Sequence, residues 1–525
     1  MAIANVSNCH NDLLTADSHK NMERLFGIET EYGITLENES NIDAVKQSIE
    51  LIKSYRQEDF RPVWDYRGED PFRDERGFRA DALSNHPDEK EEAARDRERN
   101  KKNRLSFAEI KSDHILVNGA RLYNDHAHPE YSTPECKRLF ELVAHDKAGE
   151  RILQRCAETR SEKLGKRVLL YKNNTDLHGH SYGCHDNYLM ARAVPFEKLK
   201  QGIMPFFITR QIFAGAGKLG IETEAGLATP GHYQLSQRAD FFHVEASVDT
   251  MHNRPIVNTR DEPHADPSKY RRLHGIAGDA NMSEYATALK VGTTALVITL
   301  IEQDKIPESL ILANPIDTIK TVSHDQTYRW MVMTADGKTM SAIDHQRQYL
   351  ALAQKHLDES VGLEIDWVLT EWEDTLNALE TDPMTLVDRL DWVAKKWLLQ
   401  TFAEEEGIAW DDAWLQSLDL EYHNINPDEG LYYGFPMRRI VTDEQIEAAL
   451  HNPPSGTRAY FRGRAVDRFS TSIKAIQWDS ITFTVNGRTH EVNLNALADA
   501  EIANQYNKTL DESPDVGTLI KKLRL

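Results

Sequence analysis

Phe26-Gly27-Ile28-Glu29-Thr30-Glu31-Tyr32-Gly33-Ile34 is the stretch on which the fold turns. Apolar Phe26, Ile28, Tyr32 and Ile34 alternate with Gly27, Glu29, Glu31 and Gly33. A period of two predicts a β-strand with one apolar face and one face of glycine and carboxylate. Glu29 and Glu31 then project side by side, and such a pair repels unless a cation sits between them. An edge strand with a solvated acidic face would give the same pattern. The flanking glycines argue against that, because glycine weakens a strand and often marks a close approach by a ligand or another backbone.

A second stretch, Arg121-Leu122-Tyr123-Asn124-Asp125-His126-Ala127-His128-Pro129-Glu130-Tyr131, repeats the pattern. Alternation puts Arg121, Tyr123 and Asp125 on one face. Pro129 is expected to stop regular pairing, with Glu130 on the turn that follows. Arg, Asp and the glutamates on neighbouring strands suit a hard cation together with a polyanion. Magnesium keeps some waters and draws its remaining ligands from carboxylates and phosphates.

The chain has 525 residues, of which 40% are hydrophobic and 28% charged, enough for one large domain plus a small one. A net charge of -22 excludes general nucleic-acid binding, which needs a basic surface. Cys9, Cys136, Cys156 and Cys184 form no Cys-x-x-Cys pair, which fits a reducing cytoplasm. The first twenty or so residues are polar and lack a signal-peptide core, so residues 1–21 read as a loose extension. The most apolar run, Val291 to Ile301, is too short to span a bilayer and reads as a buried helix, so no membrane association is expected.

Along the chain, Asn41 to Tyr55 has helical spacing, and Pro87 to Arg104 is a mixed-charge run of the kind that forms a solvated face. Together with the Asp, Arg and aromatic residues from Trp64 to Arg79, it makes Trp64–Asp113 one long insertion between two strands expected to be neighbours. Insertions of that length are commonly lids beside a site. Glu135 to Leu164 reads as a helix and Val168 to Tyr171 as a strand, followed by polar, glycine-rich ligand loops through Tyr188. His178, His180, Cys184 and His185 raise zinc as a rival, but their spacing matches no standard finger. Arginines at 238, 260, 271 and 272 supply planar donors suited to phosphate or carboxylate. Asp382-Pro383 predicts a helix start whose buried stripe runs from Met384 through Trp397 to Phe402. Strands are expected over Ile473 to Phe483 and Thr489 to Leu494.

These segments resemble the carboxylate-amine ligase relatives of glutamine synthetase that handle Pup, the prokaryotic ubiquitin-like protein. The resemblance rests on Gly-Ile-Glu-Thr-Glu-Tyr-Gly at 27–33, the Arg121 to Glu135 segment and Lys-Asn-Asn-Thr-Asp at 172–176. Ser181 to Tyr188, Asn258 to Asp266 and Trp-Asp-Ser at 478–480 extend it, in order, to the C-terminal region. One branch of the family ligates Pup to lysines. The other deamidates the C-terminal glutamine of Pup and cleaves Pup from proteins. Gly27 to Glu31 is spelled in the ligase manner, whereas Asp125 to Glu130 and the long insertion resemble the depupylase branch. The hydrolase is the favoured expectation and the ligase the alternative, with a divergent member acting on Pup or a Pup-like modifier. A non-catalytic Pup-binding module would have no need of two acidic strands around a cation.

The resemblance implies an α+β fold, a glutamine-synthetase-like curved, mainly antiparallel sheet packed by helices. It further implies a catalytic domain over 22–437 and a small C-terminal domain over 438–525. The implied cofactors are Mg2+ and ATP, or ADP plus phosphate. Glu29, Tyr123 and Glu130 fall on the family's magnesium positions with Glu31 beside them, and Asp125 on the catalytic aspartate. Arg121, Thr133 and Trp478 match nucleotide-binding positions. His185, Arg238, Arg260 and His274 lie in motifs that handle nucleotide, phosphate or substrate. The implied partners are Pup or a Pup-like modifier with its protein conjugates, in association with the proteasome pathway. An aspartate beside a dication and an arginine stays ionised, so Asp125 suits a base or nucleophile near neutral pH.

Overall fold

The computed structural model describes residues 24–39, 42–55, 63–81, 83, 105–176, 178–222, 228–250, 254–357 and 363–524. The extension expected over 1–21 and the mixed-charge run over 87–104 lie outside the described residues.

The Phe26–Glu31 strand alternates buried and half-buried positions as its sequence predicts, and the apolar side forms the interior. It lies within an eight-stranded sheet ordered Val244–Ser247, Pro255–Asn258, Tyr270–Gly275, Cys184–Ala191, Phe26–Glu31, His128–Ser132, Arg121–Asp125, His114–Ile115. Every pairing is antiparallel except that between Val244–Ser247 and Pro255–Asn258. Glu29 stands opposite His185 on one side and Ser132 on the other, and Glu31 stands opposite Glu130.

Arg121–Asp125 is therefore not the direct neighbour of Phe26–Glu31, because His128–Ser132 comes between them. Nor does Pro129 end the pairing. His126 adopts a positive φ of 52° in the turn between Asp125 and His128, and the chain reverses into a hairpin. Pro129 then sits opposite Asn124, one step beyond the Asp125–His128 pair, where antiparallel alternation asks for no N–H toward that partner. Glu130 is consequently a strand residue facing Tyr123, not a turn residue.

The apolar face of the sheet packs on the helices Leu139–Leu164 and Glu284–Glu302. Ile28, Leu122, Tyr131, Tyr188 and Leu273 contribute to this core, each about 2% exposed or less, and burial of such side chains stabilises by roughly 1.5–3 kcal/mol apiece. Glu284–Glu302 is long and apolar enough to cross a membrane, yet 94% of that stretch is buried inside the protein. An all-round apolar helix of this kind is a core helix. On the same face Asp186 accepts two bonds from Arg210, at 2.8 and 2.9 Å, tying Cys184–Ala191 to the helix Phe196–Thr209.

A second core gathers Phe461, Ile473, Ile481, Phe483 and Leu519, with Trp64 and Ile115 joining it from the insertion and the sheet edge. It is built on the three strands Ile473–Ile476, Ser480–Val485 and Arg488–Asn493 and the helices Arg458–Phe469, Ala500–Asp511 and Val516–Leu523. Of the unit expected from 438 onward, Val441 and the helix Asp443–His451 join the main core instead, the helix packing on Leu139–Leu164. The single strand expected over Ile473 to Phe483 is two strands, with Gln477, Trp478 and Asp479 in the turn between them. Asp382 does cap Met384, but only a short 3-10 turn over Pro383–Leu386 follows before the helix Asp391–Glu406 begins. The break rotates the stripe, and Trp397 is 46% exposed instead of buried.

Candidate active site

The polar face of the central strands collects two clusters. In the first, carboxylate oxygens of Glu31, Asp125 and Glu130 all lie within 4.8 Å of one another. In the second, Glu29 meets His185 and His274 within the same limit. Alternation along one strand thus sends Glu29 and Glu31 to different partners, since the strands flanking them carry histidine on one side and carboxylate on the other.

The first cluster is chemically hard and electrically unbalanced. Burial, with Asp125, Glu31 and Glu29 nearby, pushes the Glu130 carboxyl well above the ordinary carboxylate range, against a hydrogen bond from Tyr123. Burial likewise raises the Tyr123 phenol well above its ordinary value, so it stays protonated. Three converging carboxylates with a phenol beside them fit an oxygen-liganded dication such as magnesium, whose charge would relieve their repulsion. Gly183 completes one wall: its N–H donates to Glu31 Oε1 at 2.9 Å, and a Cβ there would stand 2.7 Å from that oxygen. Gly33 is kept small for packing, because a Cβ would stand 2.8 Å from the Tyr182 hydroxyl.

Asp125 is ionised. Burial works against the charge, but Lys111 and His126 hold the carboxyl well below its usual range. Lys111 Nζ donates to Oδ1 at 2.5 Å, and His126 Nδ1 stands 3.2 Å from Oδ2.

In the second cluster, burial pushes the Glu29 carboxyl up, while His185, Arg272 and Arg121 together bring it below the ordinary range. His185 Nδ1 is 3.4 Å and His274 Nε2 3.6 Å from Glu29 Oε2, and Arg272 donates to Oε1 at 3.3 Å. His274 is buried with neither ring nitrogen hydrogen-bonded. Burial, with Arg272 and His185 beside it, lowers its pKa well below the usual value, so the imidazole is neutral. A neutral, unpartnered imidazole beside a carboxylate suits a cation as well. The four residues expected to bind magnesium are therefore divided: Glu31, Tyr123 and Glu130 around Asp125, and Glu29 with the histidines.

Arg121 is buried and flat between the Trp64 and Tyr123 rings, each centroid 3.9 Å from its guanidinium carbon. It donates from Nε and Nη2 to Asp113 Oδ1 at 2.8 and 2.6 Å, and from Nη2 to the Tyr66 hydroxyl at 2.9 Å. Trp64, Tyr66 and Asp113 all belong to the insertion, which therefore seats itself on the strand through this arginine. Glu75 adds an ion pair to Arg271 at 3.2 Å.

A cleft open to solvent runs from Glu29 and Arg272 past Gly27 and Thr133 to Trp478. Its walls are chiefly apolar and it ends at charged groups, a shape that accepts a flat heteroaromatic ring with an anionic tail. Thr133 also accepts from Ile28 N at 3.0 Å, which locks the two strands at the cleft floor. Arg238 stands apart: fully buried, it donates to the carbonyls of Ile276 and Gly278 and braces Ser181. Arg260 donates to Val248 O at 3.0 Å and Thr250 Oγ1 at 3.1 Å. His178, His180, Cys184 and His185 do not converge on a metal. His180 Nδ1 lies 2.7 Å from Asp176 Oδ2, and Cys184 and His185 point to opposite faces.

Sequence reasoning did not single out Lys111, Asp113, Arg458 or the specific part of Arg272. A signal for Lys111 was present, since Ser106 and Glu109 form a capping box that starts a helix ending at Lys111. Arg458 lines the cleft and pairs with Glu135 at 2.6 Å, beside Arg462 one helical turn on. These two arginines draw the Glu135 carboxyl, against its burial, down to about 2.

The family model described as Pup-ligase protein matches residues 24–482. The chain is 44% identical over 482 residues to a depupylase of Acidothermus cellulolyticus, covering 89% of this chain and 92% of that one. It is 45% identical over 371 residues to a Pup–protein ligase of a Nocardioides species, covering 68% of this chain and 81% of that one. Among solved structures, the complex of Pup with its ligase PafA superposes with a TM-score of 0.73 at 33% identity, over 93% of this chain and 92% of the ligase. The PafA–ADP complex gives 0.69 at 37% identity, over 83% and 97%.

Proposed function

The chain belongs to the Pup-ligase protein family, and from that premise we propose that it is a hydrolase of the depupylase kind. It deamidates the C-terminal glutamine of Pup or a Pup-like modifier and cleaves the isopeptide bond joining the modifier to lysines of substrate proteins. Magnesium with ATP, or with ADP and phosphate, is a bound cofactor and not a fuel. The observation that carries this reading over ligation is the insertion seated on the acidic face. Trp64 stacks on Arg121 and Lys111 pairs with Asp125 on that face, while Glu75 pairs with Arg271 on the other side of its strand. By sequence, the depupylase relative aligns over 89% of this chain and the ligase relative over 68%.

Glu31, Glu130 and Tyr123, together with Glu29 at the cleft end, would hold the magnesium. When bound, magnesium would neutralise these carboxylates and lend positive charge to nucleotide phosphates. The nucleotide base belongs between Trp478 and the floor made by Gly27 and Thr133. Asp125, ionised and fixed by His126, attacks the carboxamide carbon of the modifier or takes the proton of a water that does. The carbon–nitrogen bond breaks, water supplies hydroxyl to the carbonyl carbon, and its proton leaves with ammonia or the lysine amine. A cytoplasmic setting accords with Cys136, Cys156 and Cys184, all buried free thiols.

The test is ammonia release from Pup ending in glutamine, with Asp125→Asn alongside. The variant should lose activity about a thousandfold and still bind nucleotide. Near-normal release by the variant would remove Asp125 from this role.

A further inference from the structure

The chain holds nine tryptophans, and among the described residues two are exposed, Trp397 at 46% and Trp414 at 62%. Trp330, Trp372 and Trp392, by contrast, are fully buried. The two exposed indoles lie on the helices Asp391–Glu406 and Ala413–Glu421, which pack against each other. Trp414 stacks on Phe402 with ring centroids 6.0 Å apart, and Trp397 meets Phe435 edge-on at 5.7 Å. At roughly 100° per residue, Thr401 and Glu405 fall between Trp397 and Phe402 around the first helix. The aromatic pairs therefore flank one strip of surface. Single exposed apolar residues are ordinary, whereas a joined aromatic face marks an interaction surface. No residue of this face lines the cleft or belongs to the two clusters at the active site.

Charge narrows what such a face can take. The helix Asp391–Glu406 ends in Glu404, Glu405 and Glu406, all exposed, and has no basic residue in its last turn. Carboxylates there meet the negative end of the helix dipole, the reverse of the stabilising arrangement. Asp411, exposed between the two helices, adds a fourth. Among the described residues none of these four carboxylates is in an ion pair. The two lysines of the helix are engaged elsewhere: Lys395 pairs with Asp419 at 2.8 Å, and Lys396 donates to the Tyr328 hydroxyl at 2.5 Å. Local rules broken without a gain inside the fold point to a task outside it.

We propose that this face docks a lysine- or arginine-rich amphipathic segment of a partner protein. Apolar side chains of that segment cover the two indoles. Its cations pair with the carboxylates or lie over the open indole faces. An acidic segment or a nucleic acid is repelled by the unanswered charge. A second copy related by a two-fold axis would bring the same carboxylates against themselves.

The experiment titrates the full-length protein with two fluorescently labelled synthetic amphipathic helices of equal leucine spacing, one built with lysine and one with glutamate. Anisotropy should show the lysine helix bound and the glutamate helix unbound. Trp397→Ala and Trp414→Ala should each weaken binding of the lysine helix roughly tenfold. Glu404→Gln, Glu405→Gln and Glu406→Gln combined should weaken it about fivefold and flatten its salt dependence. All five positions are exposed, and circular dichroism should show these variants folded as the wild type. The control combines Glu308→Gln, Glu491→Gln and Glu501→Gln, at exposed positions elsewhere, and should leave binding unchanged. Equal weakening by the control would reduce the binding to general attraction by the net charge of -22 and overturn the proposal. Absence of binding by the wild type would overturn it as well. So would self-association in sedimentation that Trp414→Ala abolishes, since the face would then join copies of this chain. Acrylamide should quench Trp397 and Trp414 freely, read as the difference between wild type and the double alanine variant. Shielded rings would mean that the chain covers the face itself, and would contradict the assignment.

Discussion

Glu29 and Glu31 are two residues apart on one strand and on one face, yet their surroundings differ in kind. Glu31 joins Asp125 and Glu130 in an all-oxygen cluster that is short of positive charge, with Lys111 and His126 pairing Asp125 at its rim. Glu29 joins His185 and His274 and is compensated by Arg272. The difference comes from the flanking strands, with Glu130 opposite Glu31 and His185 opposite Glu29. The same side chain is thereby given two settings: one carboxylate stands among other carboxylates, and the other, paired with Arg272 beside two histidines, faces the cleft.

That contrast can be broken from the first cluster. Glu130→Gln removes a ligand and should raise the magnesium concentration needed for half-maximal cleavage by ~100-fold, while nucleotide affinity in excess magnesium falls far less. A titration of activity against magnesium reads this directly, and an unchanged midpoint would exclude Glu130 as a ligand.

The second effect is on stability. A carboxyl whose folded pKa is raised binds its proton more tightly folded than unfolded, so stability falls as pH rises above about 4.5. Glu130 is such a group. Without magnesium the melting temperature should therefore drop between the unfolded carboxylate range and neutrality. Magnesium should restore more of it at pH 7 than at pH 5. Thermal melts at the two values check the sign, and a magnesium effect larger at pH 5 would refute it.

The second cluster should respond more mildly. His274→Ala leaves Glu29 paired with Arg272 and His185 and should cost roughly tenfold in kcat/KM, against the larger loss expected for Glu130→Gln. Trp478→Ala removes the cleft's aromatic wall and should weaken nucleotide binding roughly tenfold, as loss of one stacked base does. Isothermal titration with ADP measures it. Trp397→Gln, at an exposed position on the helix Asp391–Glu406, should change stability by no more than about 0.5 kcal/mol in denaturant melts.

The contrast between the clusters was only half legible in the sequence. The alternation of Phe26–Glu31 showed a strand with a carboxylate face, because period two is a local property. The partners were not legible, since which strand lies next to Glu31 depends on a hairpin whose turn sits at His126, not at Pro129. Reading Pro129 as a stop put Glu130 on a turn. A proline in a non-hydrogen-bonded pair costs little, and composition alone does not reveal the pair type. Trp397 was misjudged for a related reason: one 3-10 turn after Asp382 shifts the helical phase, and a stripe counted across the break loses its face. Trp478 was assigned to a strand and lies in the turn after Ile476, where it reaches the cleft. Lys111 lies near the end of the long insertion, beyond its charged run, and only the capping box at Ser106 marked the helix that carries it to Asp125.

The hydrolase reading is tested most directly by incubating the protein with Mg·ATP and a Pup–protein conjugate while following free Pup and ADP together. Cleavage of the conjugate with ADP far below the amount of Pup released is the expected result. Survival of the conjugate, with free Pup-Glu and target protein instead joined at matched ADP release, would make the chain a ligase and contradict the account.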